Sequence, residues 1–375
     1  MDNKNKICVY AICKNEEIHV DAWVDSMSEA DSIVVLDTGS EDRTVELLEK
    51  RGVKVSVKKI DPWRFDVARN ESMKLVPEDC NILVCTDLDE VFEPGWANVV
   101  RENWVNGKSH MGWFKYAWSH DDNGNDGHVY EFNKIHDRCF KWAYPVHECL
   151  VVNEECKEMV LADSNVFFDE RVKLHHWPTF KESRNNYMGL LKVRLEENKD
   201  DLMSYIYLAR EYTFYEKYKE CIDICEDALK KFADSSEKAL LSYCEILAGE
   251  SCEKLKDNDK AKSHYVKAIA ICPEYRDPYF NLGKMYYFES NFINAKTCFE
   301  AGLLKTERHY WWHENGDAFG YQYYDLLSFA QYQLGFKKDS LVSAFKAYSL
   351  NPEDERLKQN INFFKETITD KEIVS

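Results

Sequence analysis

The sequence predicts two domains of different class in series. Residues 1–180 read as an α/β domain with a mostly parallel sheet, and residues 181–370 as an all-α domain. Three observations carry this prediction. Short apolar or β-branched runs alternate with helical stretches through the first half. From about Lys181 those runs stop, and small and large residues recur at helical spacing instead. Within that second half Ala261 and Ala295, equivalent in pattern, stand 34 residues apart. A chain of 375 residues has room for two or three domains, and 14 Gly with 8 Pro exclude a collagen-like or largely disordered polymer.

In order, Ile7–Cys13, Ser32–Leu36, Val53–Val57 and Asn81–Thr86 read as strands. Ile18–Glu29, Asp42–Arg51 and Val67–Val76 read as the helices between them, the second opening on Thr44 with acidic residues in its first turn. Such βαβ alternation predicts parallel pairing with right-handed crossovers, and a ligand crevice beyond the carboxyl ends of the strands. A later strand is expected over Asn165–Leu174. In the second half, Leu208-Ala209, Tyr212, Cys221, Cys225 and Ala228 match Leu282-Gly283, Tyr286, Ala295, Phe299 and Gly302 in spacing. The 34-residue offset is the tetratricopeptide period, so stacked helix pairs with a concave face are predicted.

Charge narrows the function. The net charge is −18, of which −13 (21 basic, 34 acidic) falls in residues 1–180. Acidic surfaces do not displace phosphate counterions, which argues against nucleic acid as a partner. A single nucleotide stays compatible, because a divalent cation can bring its phosphates to carboxylates. No stretch has the length and apolarity of a membrane span, and the start lacks the apolar core of a signal peptide. Thirteen scattered cysteines without a Cys-x-x-Cys pair predict reduced thiols and a cytoplasmic location. Cys221 and Cys225 fit either a zinc site or small buried thiols, and their place on the inner face of a helix favours the second.

Four motifs follow the predicted strands: Lys14-Asn15-Glu16-Glu17, Asp37-Thr38-Gly39-Ser40-Glu41-Asp42-Arg43-Thr44, Asp66-Val67-Ala68-Arg69-Asn70 and Asp87-Leu88-Asp89-Glu90. An isolated Asp-Thr-Gly-Ser is an ordinary turn. Two carboxylates one residue apart at a strand end, however, can share a divalent cation that bridges phosphate oxygens and helps a diphosphate leave.

Taken together these motifs resemble the family 2 inverting glycosyltransferases of GT-A fold, a Rossmann-like architecture, in the branch followed by tetratricopeptide repeats. The resemblance implies a nucleotide-sugar donor, most simply UDP-linked, and a divalent metal, Mn or Mg. It implies donor-site roles for Asn15, Glu16, Asp37, Asp42, Arg69 and Asp87: Asp37 at the base, Asp42 orienting its turn, Arg69 near base and phosphates, and Asp87 toward ribose and phosphates. Asp89 would ligate the metal directly. Lys14 reads equally as a pocket residue or an exposed one. In Trp142-Ala143-Tyr144-Pro145-Val146-His147-Glu148 the resemblance implies Glu148 as catalytic base with His147 as its orienter or a substrate donor; a structural His–Glu pair is the plain alternative. Of His175-His176, strand alternation favours His176 as a further metal ligand, with His175 as second choice.

Trp113, Tyr116, Trp118 and His120 fall where the family contacts acceptors, or in the core. The polar loop His120–Gly127 reads as a lid or as a surface loop; it is no EF-hand, since its twelfth position from Asp121 is Phe132. His309–His313 is expected to plug between repeats. The sequence therefore predicts a metal-dependent inverting glycosyltransferase, acting on a peptide, a protein or a cell-envelope saccharide. Its repeats would hold the acceptor or form a homodimer. The competing reading is an inactive GT-A domain whose repeats serve as an interaction scaffold. The retained carboxylates Asp37, Asp87, Asp89 and Glu148 speak against that reading.

Overall fold

Every residue of β1 (Ile7–Cys13) is buried, as expected of a central strand covered on both faces. Its side chains alternate: Ile7, Val9 and Ala11 enter one apolar cluster, while Cys8 and Tyr10 enter another on the opposite face. These and all later descriptions come from a computed structural model that describes residues 5–121, 123–162, 165–179, 187–305 and 316–367. The chain separates into two compact units, Met1–Arg194 and Leu195–Ser375.

In the first unit β1 pairs in parallel with β2 (Ser32–Asp37) on one side and with β4 (Ile82–Thr86) on the other; β3 (Lys54–Val57) extends the sheet beyond β2. The crossovers are α1 (Val20–Met27), α2 (Thr44–Lys50) and α3 (Phe65–Met73). Each helix is shorter than the sequence suggested. The strands agree with their predicted spans within a residue, as apolar runs are sharper markers than helix ends.

Beyond β4 the sheet stops being parallel. Among the described residues its order is β3-β2-β1-β4-β7-β6-β10-β5, with β5 (Glu90–Phe92), β6 (Ser109–Ala117), β7 (Val129–His136) and β10 (Asn165–His176). β7 runs antiparallel to both β4 and β6, and β10 lies parallel to β6 and antiparallel to β5. A separate hairpin joins β8 (Phe140–Ala143) to β9 (Cys149–Val152). Helices α4 (Trp96–Asn103), α5 (Lys157–Ala162) and α6 (Tyr187–Glu197) complete the described elements of this half. β10 continues two residues past the predicted Leu174, which brings His175 and His176 into the sheet.

Among the described residues the second unit is helical, with α7 (Leu202–Phe214), α8 (Tyr218–Lys231), α9 (Lys238–Lys254), α10 (Asn258–Ile271), α11 (Asp277–Phe288), α12 (Phe292–Leu303), α13 (Tyr321–Gln333), α14 (Lys337–Leu350) and α15 (Glu355–Thr367). The repeat is visible as packing. A methyl group at Gly249 of α9 would sit 2.6 Å from the Tyr265 ring of α10, and one at Gly283 of α11 would sit 2.7 Å from the Phe299 ring of α12. Both the glycines and the aromatics are offset by 34 residues. Cys221 and Cys225 lie buried in the same apolar cluster as Cys244, as small core thiols do. His309–His313 lies outside the described residues.

Candidate active site

Parallel strand order reverses at β1, which has β2 on one side and β4 on the other, so the loops leaving β1 and β4 part and open a cleft. Its volume is roughly 870 Å³, within the range that holds a small-molecule ligand. Lys14 and Glu16 line it from the β1 loop, Asp87 and Asp89 from the β4 loop, and Arg69, His147, Glu148 and His176 from farther along the chain. The backbone segment Ile12–Cys13 lines it as well.

The β4 loop is a tight turn in which the Glu90 N–H donates to the Asp87 carbonyl at 3.1 Å. Leu88 is only 2% exposed and plugs the core, which leaves Asp87 and Asp89 to flank it at the cleft. Asp87 is gripped by two buried cations. Arg69 reaches its Oδ1 at 3.0 Å and its Oδ2 at 3.1 Å, and Lys134 Nζ lies 3.2 Å from Oδ2. Burial alone would raise the Asp87 carboxyl, yet Arg69 and Lys134 outweigh it and hold the group well below the usual carboxylate range. Lys134 also donates to both Glu90 oxygens, at 2.7 and 2.8 Å. Tyr116 donates to Glu90 Oε1 at 2.8 Å, and the Asp87 N–H donates to Oε2 at 2.8 Å.

Asp89 faces the other way. Among the described residues its carboxylate has one contact, His176 Nε2 at 3.5 Å from Oδ2. Strand register accounts for the meeting, since His176 stands opposite Glu90 in the antiparallel β10–β5 pair. The Trp177 N–H donates to the Asp89 carbonyl at 2.8 Å, and His176 Nδ1 is 3.2 Å from the Trp118 carbonyl. Burial would lower the His176 imidazole, but the Asp89 carboxylate beside it raises it overall. His175 does not line the cleft.

Glu148 comes from the loop between β8 and β9. Its Oε1 accepts from Arg69 Nε at 2.5 Å, and among the described residues its Oε2 has no hydrogen-bond partner. Tyr144 and His147 both have left-handed backbone, with φ of 77° and 50°. Such a loop needs outside support. Arg194, itself buried, supplies it by donating to the Val146 and His147 carbonyls at 3.0 and 2.8 Å, with its guanidinium over the Tyr144 ring. The Phe65 N–H donates to the Pro145 carbonyl at 3.0 Å. Asn70 fastens Trp142 through both its backbone N–H and its carbonyl.

Asn15, Asp37 and Asp42 are not among the residues that line the cleft, and in the structure their side chains bond the loops beside it. Asp37 is 1% exposed and accepts from the Gly39 and Ser40 N–H groups at 2.9 Å each. Gly39 has φ +115°, a conformation side chains disfavour. Asp42 accepts from Thr44 N–H at 3.0 Å and Glu17 N–H at 3.1 Å, which orients its turn. Asn15 accepts from Glu41 N–H at 2.8 Å. Trp113 packs with Met111 and Phe140, whereas Tyr116 and Trp118 reach the cleft. Lys134, Arg194 and the partners of Glu90 escaped sequence reasoning. The one signal was a lysine inside the strand pattern Val129–His136, where a charge is costly unless paired.

Residues 8–155 match the family model described as glycosyl transferase family 2. The TPR repeat-containing protein MJ1428 of Methanocaldococcus jannaschii is 27% identical over 164 residues, 42% of this chain. The chain spans only 26% of that relative's length. Among solved structures, MamA aligns over 45% of this chain and 89% of its own at 14% identity and a TM-score of 0.35. A thermophilic TPR protein of Thermus thermophilus, TTC0263, aligns over 47% and 88% at 15% identity and a TM-score of 0.32. Over residues 8–155 the chain is thus similar to glycosyl transferase family 2, and a separate all-helical unit follows that region.

Proposed function

We propose that the N-terminal unit is a metal-dependent inverting glycosyltransferase that takes its sugar from a nucleoside diphosphate donor, UDP-linked in the simplest case. The observation that carries this reading is the Asp89–His176 pair, two cleft-lining side chains brought together from the turn after β4 and the end of β10. Asp87 is already committed to Arg69 and Lys134, which leaves Asp89 and His176 as the metal-binding pair. An oxygen and an imidazole nitrogen suit Mn, and Mg through oxygen and water. Six carboxylates (Glu16, Asp61, Asp87, Asp89, Glu90, Glu148) against four cations (Lys14, Lys59, Arg69, Lys134) also leave the cleft lining with a negative excess that a divalent ion would offset. When bound, such an ion neutralises charge on the departing diphosphate.

In this mechanism the acceptor hydroxyl attacks the anomeric carbon from the face opposite the nucleotide. The new C–O bond forms as the bond to the diphosphate breaks, the pair of electrons leaving with the diphosphate. The acceptor proton passes to Glu148 Oε2, the oxygen that Arg69 does not hold. Arg69 positions Glu148 and Asp87 together, so base and phosphate side keep a fixed spacing. Trp118, half exposed at the rim, offers an indole face for a sugar ring. The helical unit would hold a peptide, protein or saccharide acceptor, or pair with a second copy.

Calorimetric titration of UDP, GDP and dTDP with and without manganese tests the donor half, followed by hydrolysis of the matching nucleotide sugars. Metal-dependent binding of one nucleotide and release of its sugar with inverted configuration support the reading. No nucleotide binding, with or without metal, refutes it and leaves the helical unit as a scaffold.

A further inference from the structure

A second group of metal-binding side chains lies away from the Asp89–His176 pair. His175 leaves β10 on the opposite side from His176 and meets His120 and Asp126, both from the loop joining β6 to β7. His120 Nε2 is 2.9 Å from His175 Nδ1, and Asp126 Oδ1 is 3.7 Å from the first nitrogen and 3.5 Å from the second. A tetrahedral zinc ion with ligands at about 2.0–2.2 Å holds neighbouring ligand atoms about 3.3–3.6 Å apart. The three atoms are therefore spaced almost as one face of such a tetrahedron.

We propose that His120, Asp126 and His175 bind a zinc ion, with water completing the coordination. The surroundings match what zinc-bound imidazoles ordinarily have. His175 Nε2, the nitrogen turned away from the cluster, lies 3.1 Å from Glu93 Oε1, so a carboxylate fixes the tautomer that leaves Nδ1 available. The His120 ring stacks on Trp177, with centroids 3.6 Å apart and planes at 14°. Lys173 pairs with Asp126 through Oδ2, away from the proposed ligand atom Oδ1, and also lies 3.6 Å from Glu93. Asp126 and Glu93 against Lys173 leave one negative charge to face the ion.

A simple hydrogen bond between two imidazoles accounts for the 2.9 Å contact alone. The His120–Asp126 bridge across the loop and the Lys173 ion pair bring the carboxylate up to both nitrogens, so the three ligand atoms stand together before any ion binds. On binding, His120 passes from its Nε2–H to its Nδ1–H tautomer, and no net proton is released. The other cluster of this kind among the described residues, His110, Asp137 and Cys139, is less suited, because burial pushes the Cys139 thiol up and disfavours the thiolate. The ion fastens the β6–β7 loop to the end of β10. His175 is one residue from His176, and His120 is two residues from Trp118. The proposal does not depend on glycosyl transfer.

The test uses the full chain carrying Asp89→Asn, so that the cleft pair cannot supply the signal. After chelation, zinc is titrated against a chromophoric chelator, and cobalt is followed by its visible absorption, intense in tetrahedral sites and weak in octahedral ones. One zinc per chain and intense cobalt bands are expected. Adding His120→Gln or His175→Gln should abolish both, while Glu93→Gln should keep the stoichiometry and weaken zinc by about 10–100-fold. Should the histidine variants misfold, Asp126→Asn and Glu93→Gln still decide the matter. Absence of zinc in the Asp89→Asn chain, or unchanged binding with His120→Gln, overturns the proposal.

Discussion

Arg69 donates from Nε to Glu148 at 2.5 Å, so the carboxylate proposed as base hangs from the same guanidinium that grips Asp87. One planar fork spans the leaving-group side and the acceptor side of the cleft. Lysine at this position would lack the geometry to do both.

Glu148→Gln keeps an oxygen for Arg69 and removes the proton acceptor. Turnover should fall by roughly 10²–10⁴, the usual share of general acid–base catalysis, with donor affinity unchanged. Steady-state kinetics beside UDP calorimetry check this. Weakened UDP binding with normal turnover would make Glu148 a binding residue.

Asp89→Asn should abolish metal-dependent turnover. Its carboxylate is partly exposed and has only His176 as a described partner, so the thermal transition of the metal-free protein should barely move. Differential scanning calorimetry and an activity assay with added manganese separate the two effects. Full activity would remove Asp89 from the metal site.

Lys134→Met strips a buried cation from Glu90, which is 1% exposed, and from Asp87. A buried pair broken on one side typically costs about 3–5 kcal/mol. Urea unfolding should show a loss of that order, and Lys134→Met with Glu90→Gln should recover part of it. A loss under about 1 kcal/mol would mean that water reaches the lysine.

Gly283→Ala would place a methyl 2.7 Å from the buried Phe299 ring, and Gly249→Ala one 2.6 Å from Tyr265. Overpacking of this kind costs about 1–3 kcal/mol each. Similar losses at both sites, read from the denaturation midpoint, are expected of one repeated packing. A neutral or stabilising outcome at either site would show that the helices part without strain.

The strands around β1 were legible because apolar runs bounded by polar turns need no tertiary information. The Asp87-Leu88-Asp89 turn was legible for the same reason, its position after an apolar strand being a local fact. The antiparallel half was not. The place of β7 between β4 and β6 depends on pairings over long sequence separations that leave no period in the chain. Lys134 and Arg194 stayed hidden likewise, since a lysine in a strand and an arginine in a helix acquire meaning only from Glu90 and from the Val146 carbonyl. Asp37 shows a different limit: the sequence marks its motif, but only the fold shows its carboxylate bonded to the Gly39 and Ser40 N–H groups of its own turn.

His136 supplies a pH dependence with a definite sign. It is fully buried; Nδ1 donates to the Asp137 carbonyl at 2.7 Å, so Nε2 accepts from the Tyr10 hydroxyl at 2.6 Å, which in turn accepts from Trp142 Nε1 at 2.7 Å. Burial lowers the imidazole to about 4, from 6.5. Between those values the unfolded chain takes up a proton that the folded chain refuses, so stability falls as pH drops through that window and this group adds nothing below it. The loss is on the order of 3 kcal/mol. His120, lowered by burial and by its neighbour His175, acts in the same direction, and the raised His176 acts in the opposite one. Urea midpoints at about pH 7 and about pH 4 should therefore differ less in His136→Gln than in the parent chain. An equal difference in the two would mean that His136 is not the buried neutral group responsible.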